Sequence, residues 1–433
     1  MLFIQKNFFS KYTIFFIAVF LFLSSNLFAE SRFYQSTASL SQEAATNIAN
    51  DDLRGEDLEI RETAIQALGK RAGTIVVMNA QTGRIYTIVN QKWAIEDGFK
   101  PCSTIKLVTG IAGYKENLIL NNGNLARGSY RIGLDNALAY SNNAFFQKVG
   151  KNLGSKKMIY YAQQLGLGQI TGINADNEYA GQLPYGNENL RIYSHADDFR
   201  VTPLQLSVMV SAITNGGKIL VPRIPYTRRE KARFRGSYRA NLSFAPSVYE
   251  RVIPGMMGAT KYGTAGRIKN ADLKIAGKTG SCISRKTWVG LFASVAPINN
   301  PKFSVVVITR GQYSRGKYSA AIAEKIYRKL LPRYNDKFNR NLARKTIRIN
   351  SAPDDIGDVT AGNENPNPKI GDRRAQKPIP PPQQPIKNTV ITYKRAPQPK
   401  DDELKKKKTK ELFPTVIIQG KTEITRPRIV RNE

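Results

Sequence analysis

Histidine and cysteine are nearly absent from this chain of 433 residues, which holds one of the first, His195, and two of the second, Cys102 and Cys282. Metal centres and dithiol redox motifs draw on clusters of these residues at short spacings. Neither a metal nor any other cofactor is therefore expected. Acidic residues are scarce as well: 33 Asp and Glu stand against 66 Lys and Arg, a formal net charge of +33. An excess of that size favours an anionic partner, whether nucleic acid, an anionic membrane face or an acidic polymer such as a cell wall. Also missing from the N-terminus is an apolar run of the ~18 residues that suggest a membrane-spanning helix. The stretch YTIFFIAVFLFL covers only residues 12–23.

That stretch follows Lys6 and Lys11 and precedes SSNLFAE, the order of a basic region, a short apolar region and a cleavage site after Ala29. Leu27, third before the cut, is larger than a signal peptidase prefers. Residues 1–29 thus read as a signal peptide or as an uncleaved N-terminal anchor. Either places the body outside the cytoplasm, in the periplasm or on the outer face of the cytoplasmic membrane, and sets nucleic acid aside as a partner. No cysteine lies near Ala29 to carry a lipid. In an oxidising compartment two cysteines suggest one disulfide, although counting cannot assign a pairing.

Residues 30–55 are polar and weakly patterned and read as a flexible spacer. EDLEIRETAIQALGKRAG then has apolar residues at helical spacing, with a stop expected at Gly73 after Lys70 and Arg71. TIVVMN, AQTG and RIYTIVN spell strand, turn and strand. A helix is expected from Ser103 onward, and further helices over 136–165 with breaks around Gly150 and Gly154. VTPLQLSVMVSAITNGG has proline near its start and a glycine stop, the marks of a long helix. SVYERVIPGMMGATKYG continues the helical run. Three strands, LKIAGKTGSC, TWVGLFASVA and KFSVVVITR, and the amphipathic SAAIAEKIYRKLL close the pattern. Two strands, many helices, three strands and a helix describe an α+β fold: a five-stranded antiparallel sheet flanked by helices, split by an inserted all-helical subdomain. The folded domain is placed at 56–335. Residues 336–433, with NPNPKIGDRRAQKPIPPPQQPIK and DDELKKKKTK, bury too little apolar surface to offset ordering entropy and read as a disordered, basic, proline-rich tail.

Chemistry is first suggested by PCSTIK, residues 101–106. Cys102 and Ser103 are both potential nucleophiles, and on a helix Lys106 lies one turn from Ser103 on the same face. A lysine there accepts the serine proton if burial or a neighbouring charge lowers its pKa. Serine and lysine at this spacing recur by chance, and the pair reads equally as a helix cap with an exposed lysine. Two later stretches shift the balance. YSNN offers Ser141 and Asn143 before a helical run, and GKTGS offers Lys278, Thr279 and Gly280 on a strand. There the glycine allows a peptide to approach the strand edge, and the lysine and threonine can hold a carboxylate.

Serine-x-x-lysine, serine-x-asparagine and lysine-threonine-glycine, in that order, resemble the penicillin-binding transpeptidases and serine β-lactamases. GTIVVMNAQTGRIYTIVN is similar to the entry hairpin of that domain, VTPLQLSVMVSAITNGG to its long helix, and GTAGRIKNADLKIAGKTGS to its run into the active-site strand. The resemblance spans residues 60–335. It implies that Ser103 is the acylated nucleophile and Lys106 its general base. Ser141 then relays a proton to the leaving amine, Asn143 holds the substrate amide, and Lys278 and Thr279 anchor a terminal carboxylate. Beside Gly280, the backbone N–H of Ser281 would complete an oxyanion hole with that of Ser103. The lone His195, in YSHADD, invites a Ser-His-Asp reading, but the lysine scheme already supplies a base.

The resemblance implies action on the D-Ala-D-Ala ends of peptidoglycan stem peptides, as D,D-transpeptidase or D,D-carboxypeptidase, with β-lactams as covalent inhibitors. A β-lactamase needs a base for its deacylating water. Glu178, in NADNEYAGQLP, resembles a structural glutamate of transpeptidases instead. A β-lactamase and a non-catalytic β-lactam or peptidoglycan sensor stay open as alternatives. The length predicts a stand-alone domain with no room for a glycosyltransferase module, and the tail offers a contact to an anionic wall polymer or membrane surface. Some class A carbapenemases carry a disulfide at the relative positions of Cys102 and Cys282, which implies that pairing here. Ser281 is then expected to face the cleft and Cys282 to point the opposite way. Two buried free thiols are the alternative.

Overall fold

The protein, a computed structural model, is described over residues 36–332. The signal or anchor segment 1–29 and the tail 336–433 lie outside the described residues. Five strands form one antiparallel sheet in the order β2-β1-β7-β6-β5: β1 Ala72–Asn79, β2 Ile85–Val89, β5 Ala276–Ser284, β6 Thr287–Ala296 and β7 Phe303–Arg310. The first two strands and the last three come from opposite ends of the domain, as the alternation of patterns predicted. The helices used below are α1 Thr37–Ala49, α2 Leu58–Leu68, α3 Lys106–Lys115, α4 Leu134–Ala139, α5 Asn143–Leu153, α6 Ser155–Gln164, α7 Pro203–Thr214, α8 Ile253–Lys261 and α9 over residues 316–332. The insertion between β2 and β5 is helical apart from a small antiparallel sheet of β3 Lys218–Val221 and β4 Ser237–Asn241.

Both faces of the large sheet are covered, which is why its strands read as nearly continuous apolar runs. Side chains alternate along a strand. Ile75 and Val77 of β1 and Val305 and Val307 of β7 join Ile60, Ile326 and Tyr327 of α2 and α9 in one core cluster. Val76, Met78, Val306 and Ile308 join the helices of the insertion in the other. Helix α7 passes between sheet and insertion. Thr202 and Gln205 form a capping box at its start, Pro203 sits in the first turn, and residues 203–213 are buried on every side. Among the described residues no helix is long and apolar enough to cross a membrane.

Three local expectations are corrected. Helix α2 stops at Gly69 rather than Gly73, and Ala72 and Gly73 already belong to β1. Helix α5 runs through Gly150 without a break and ends at Gly154. A Cβ at Gly150 would lie 2.1 Å from the Tyr193 ring, so the glycine serves close packing. Residues 36–55 are no flexible spacer, since α1 occupies most of them, capped by Ser36, whose hydroxyl accepts from the N–H of Ser39 at 3.0 Å. Only Leu40 and Ala44 of α1 are buried, too few to show a period in the sequence. What anchors the segment is distant: Trp93 Nε1 donates to Glu43 at 3.0 Å.

Just beyond α1, Arg61 sits in a buried ionic knot. Its guanidinium donates to Asp51 at 2.7 Å, to Glu56 at 3.1 Å and to the carbonyl of Ile88 at 3.1 Å. Asp51 also accepts the N–H groups of Asn90 and Gln91, and Glu56 accepts those of Ile88 and the Thr87 hydroxyl. Such a knot is fully satisfied only while every member stays. Arg61→Met should therefore leave two buried carboxylates without their cation and lower the unfolding free energy by about 3–5 kcal/mol. Urea denaturation at pH 7 measures this, and a loss near that of a surface pair, about 0–1 kcal/mol, would refute the assigned role.

Candidate active site

The nucleophile candidate enters through a tight turn. Pro101 leads a 3-10 helix, Cys102–Ile105, that runs into α3. The carbonyl of Pro101 accepts both the N–H of Thr104 at 3.1 Å and its hydroxyl at 2.7 Å. Ser103 thereby stands at the head of a buried helix with Lys106 one turn on. Ser141 arrives from a second turn. At the end of α4 its N–H donates to the carbonyl of Leu138 at 3.1 Å, its φ is 56°, and Asn142 then caps α5 by accepting from the N–H of Phe145 at 2.9 Å. The two helices converge on Ser141, and Lys278 reaches it from edge strand β5.

Ser103, Lys106, Ser141, Asn143 and Lys278 form one connected cluster. Lys106 Nζ lies 3.2 Å from Ser103 Oγ, 3.0 Å from Ser141 Oγ, 2.7 Å from the Ser141 carbonyl and 2.5 Å from Asn143 Oδ1. Lys278 Nζ lies 2.9 Å from Ser141 Oγ and 3.1 Å from the carbonyl of Thr279. Both lysines are buried. Burial, and then the charge of Lys278, pushes Lys106 down to about 6, and burial pushes Lys278 down to about 7. A neutral amine has two N–H donors and one lone pair. The Ser141 carbonyl and Asn143 Oδ1 can take the two donors of Lys106, leaving its lone pair for a hydroxyl proton of Ser103 or Ser141.

Thr279 and Gly280 follow on β5. Thr279 Oγ1 lies 2.6 Å from Thr264 Oγ1, a partner that carried no role in the sequence reading although GTAGR leads toward the strand. A Cβ on Gly280 would sit 3.1 Å from Cys102 Cβ, so the absence of a side chain lets the nucleophile turn reach the strand. Cys102 and Cys282 are bonded with Cα atoms 5.7 Å apart. Their direction differs from expectation. Alternation along β5 puts Cys282 on the face shared with Lys278 and Gly280, while the Ser281 hydroxyl turns to accept the N–H of Gly316 at 2.9 Å.

Two residues weighed for catalysis have other work. Both oxygens of Glu178 accept backbone N–H groups, from Thr171 at 2.5 Å and Gly172 at 3.0 Å. His195 Nδ1 lies 2.7 Å from Ser194 Oγ, and Asp197 pairs with Lys100 and, at 2.7 Å, with Arg191.

A sheet whose edge strand faces a serine and lysine at the head of a buried helix defines the serine–lysine, penicillin-recognising class of domain. The chain belongs to the family described as the penicillin binding protein transpeptidase domain, whose model matches residues 73–331. It is 23% identical over 297 residues to the peptidoglycan D,D-transpeptidase FtsI of Buchnera aphidicola, covering 60% of this chain and 52% of that one. To FtsI of Escherichia coli K12 it is 23% identical over 340 residues, covering 68% and 57%. The chain thus spans about half the length of the curated relatives it matches. In fold it is similar to a crystal structure of a peptidoglycan glycosyltransferase from Burkholderia ambifaria, with a TM-score of 0.56, 19% identity, and coverage of 65% of this chain and 98% of that one.

The two depressed lysine pKa values give a pH test. A role for Lys106 as the base for Ser103 predicts an acylation rate that rises with pH through about 6. The rate should fall again as Lys278 loses its proton, from about 7 upward in the free protein, the two apparent values belonging to the pair. The sign for stability is the same on the acid side. A lysine that binds its proton less tightly when folded favours the folded state increasingly as pH rises from about 6 toward 10.5. Stopped-flow acylation from pH 4.5 to 9.5 reads this profile. A rate flat across pH 5–7 would remove Lys106 as the base.

Proposed function

We propose that the chain is a serine acyl-transferase acting on the D-Ala-D-Ala ends of peptidoglycan stem peptides, as a D,D-transpeptidase or D,D-carboxypeptidase. One observation carries the reading: a lysine depressed to about 6, Lys106, lies within hydrogen-bond reach of both Ser103 and Ser141. Lys106 takes the Ser103 proton as Oγ attacks the penultimate D-Ala carbonyl. The oxyanion is held by the N–H groups of Ser103 and Ser281, a contact of the kind worth about 2.7–4 kcal/mol of barrier per donor. Asn143 holds the substrate amide. Ser141, between the two lysines, passes its proton to the leaving D-alanine nitrogen as the C–N bond breaks and takes in exchange the proton Lys106 received from Ser103. Lys278 and Thr279 anchor the substrate carboxylate, which raises the proton affinity of Lys278 once bound. An acceptor amine or water then attacks the Ser103 ester and gives up a proton to Lys106, which delivers it to Ser103 Oγ as the ester bond breaks. A β-lactam follows the same first step and leaves the opened ring on Ser103.

The domain is proposed to work outside the cytoplasm, where the Cys102–Cys282 bond can form and persist. The basic, proline-rich region 336–433 adds a proposed attraction to an anionic wall polymer or membrane surface. The β-lactamase alternative needs a carboxylate free to activate water. The occupation of both Glu178 oxygens by backbone N–H groups supports a structural glutamate instead.

Incubation with a fluorescent penicillin should label the protein once per chain, with the adduct mapped to Ser103 and absent from Ser103→Ala. The adduct should persist for minutes or longer. Glu178→Gln should lower the melting temperature and leave the adduct lifetime unchanged. Rapid multiple-turnover hydrolysis that Glu178→Gln abolishes would make the protein a β-lactamase.

A further inference from the structure

The tip of the β5–β6 hairpin breaks a local sequence rule. Ser284 pairs with Thr287, so the turn consists of Arg285 and Lys286 alone. Both have left-handed backbone, with φ 47° and 58°. Two-residue turns of this form ordinarily hold Asn-Gly or Asp-Gly, because other side chains are strained there. For the turn by itself Arg-Lys is a poor choice.

The conformation achieves a contact. Arg285 Nη1 and Nη2 donate to the two oxygens of Asp97 at 2.8 and 2.7 Å, and Nη2 also donates to the carbonyl of Gly98 at 3.3 Å. The fork meets the carboxylate in two parallel bonds, which fixes orientation as well as distance. The side chains are 40% and 24% exposed, so the pair adds little to stability. Its worth lies in geometry.

Asp97 opens the short segment that ends at Ser103. The segment is tied to the helical insertion by the paired Phe99 and Val201 backbones, at 2.8 and 2.9 Å, and by Lys100 with Asp197. Toward β5 it is tied by the Cys102–Cys282 bond and by Arg285. Cys102 itself carries a left-handed φ of 47°, a strained state that persists only where its surroundings over-determine it. Relaxation there would shift the adjoining Ser103 N–H and hydroxyl together.

We propose that Asp97 and Arg285 are positioning residues: their bidentate pair, held out by a strained turn, is a second clamp beside the disulfide that keeps Ser103 aligned with β5. The clamp rests on the serine acyl-transfer reading above. A displacement of about 1 Å at a reacting group can cost about a hundredfold in rate, so a clamp of small stability has a large kinetic effect.

Stopped-flow acylation of the full chain by a fluorescent penicillin, resolved into a binding constant and an acylation rate constant, tests it beside calorimetric melting. Arg285→Asn with Lys286→Gly relaxes the turn and removes the pair. That variant should melt at or above the wild type yet acylate roughly tenfold more slowly, with binding changed less than about twofold. Asp97→Asn should slow acylation equally, and its combination with the turn variant should add nothing, since one bond is lost once. Exchanging the charges, Asp97→Arg with Arg285→Asp, should restore most of the rate. Reduction by dithiothreitol should slow each clamp variant further by roughly tenfold and the wild type less than about threefold, since the reduced wild type keeps the ion pair and the reduced variants keep neither clamp. Unchanged acylation in the variants, oxidised and reduced, would overturn the clamp. So would rate losses that track melting temperature and resist the charge exchange. A wild type that takes no label at all would overturn the acyl-transfer reading itself.

Discussion

Everything at this site depends on keeping two lysine ammonium groups out of water around one serine hydroxyl. Among the described residues neither Lys106 nor Lys278 has a carboxylate among its hydrogen-bond partners; both point at Ser141. Burying a cation without a counter-ion is costly, and the cost is met by shedding a proton. That is how a residue normally charged at neutral pH becomes able to accept a proton. The Phe146 ring, 5.8 Å from Lys106 Nζ, belongs to the wall that enforces the drying. A carboxylate placed against Lys106 would stabilise its ammonium form and raise its pKa again.

The architecture around the cavity follows from that constraint. A dry pocket needs walls on several sides, and the walls come from α3, from the α4–α5 turn and from edge strand β5, brought together across long stretches of chain. The sheet alone could not exclude water from its own edge, and the helical insertion alone lacks edge strand β5 and its Lys278. Helix α7, buried all round, holds the two together through contacts such as the Ser207 and Ser304 hydroxyls at 2.6 Å. Four of the non-glycine residues with left-handed backbone, Cys102, Ser141, Arg285 and Lys286, lie on the segments that meet here. Cys102 adjoins Ser103, Ser141 bonds both buried lysines, and Arg285 bonds Asp97.

The disulfide and the glycine of β5 are two views of one close approach. Gly280 lets the start of the 3-10 helix come against the strand, and Cys102 and Cys282 bond across the gap so created. Ser103 and Ser281, each next to one of these cysteines, are thus neighbours in space although they lie on different elements. That juxtaposition is what two amides need to share one oxygen.

The sequence by itself determined the α+β class, the succession of strands and helices along the chain, and the identity of Ser103, Lys106, Ser141, Asn143, Lys278 and Thr279 as candidates. It could do so because alternation and helical period report burial locally, and because short motifs keep their spacing on one element. The helix over Thr37–Ala49 was invisible to that reading, since its anchors are Leu40, Ala44 and a Glu43–Trp93 bond to a residue far along the chain. So was Thr264 beside Thr279, and so was the direction of Cys282, which alternation with Lys278 decides once the strand's register is known. Only the tertiary structure shows both lysines buried, the burial that pushes their pKa values down. A pKa is set by the water a fold excludes, and exclusion belongs to no single segment of the chain.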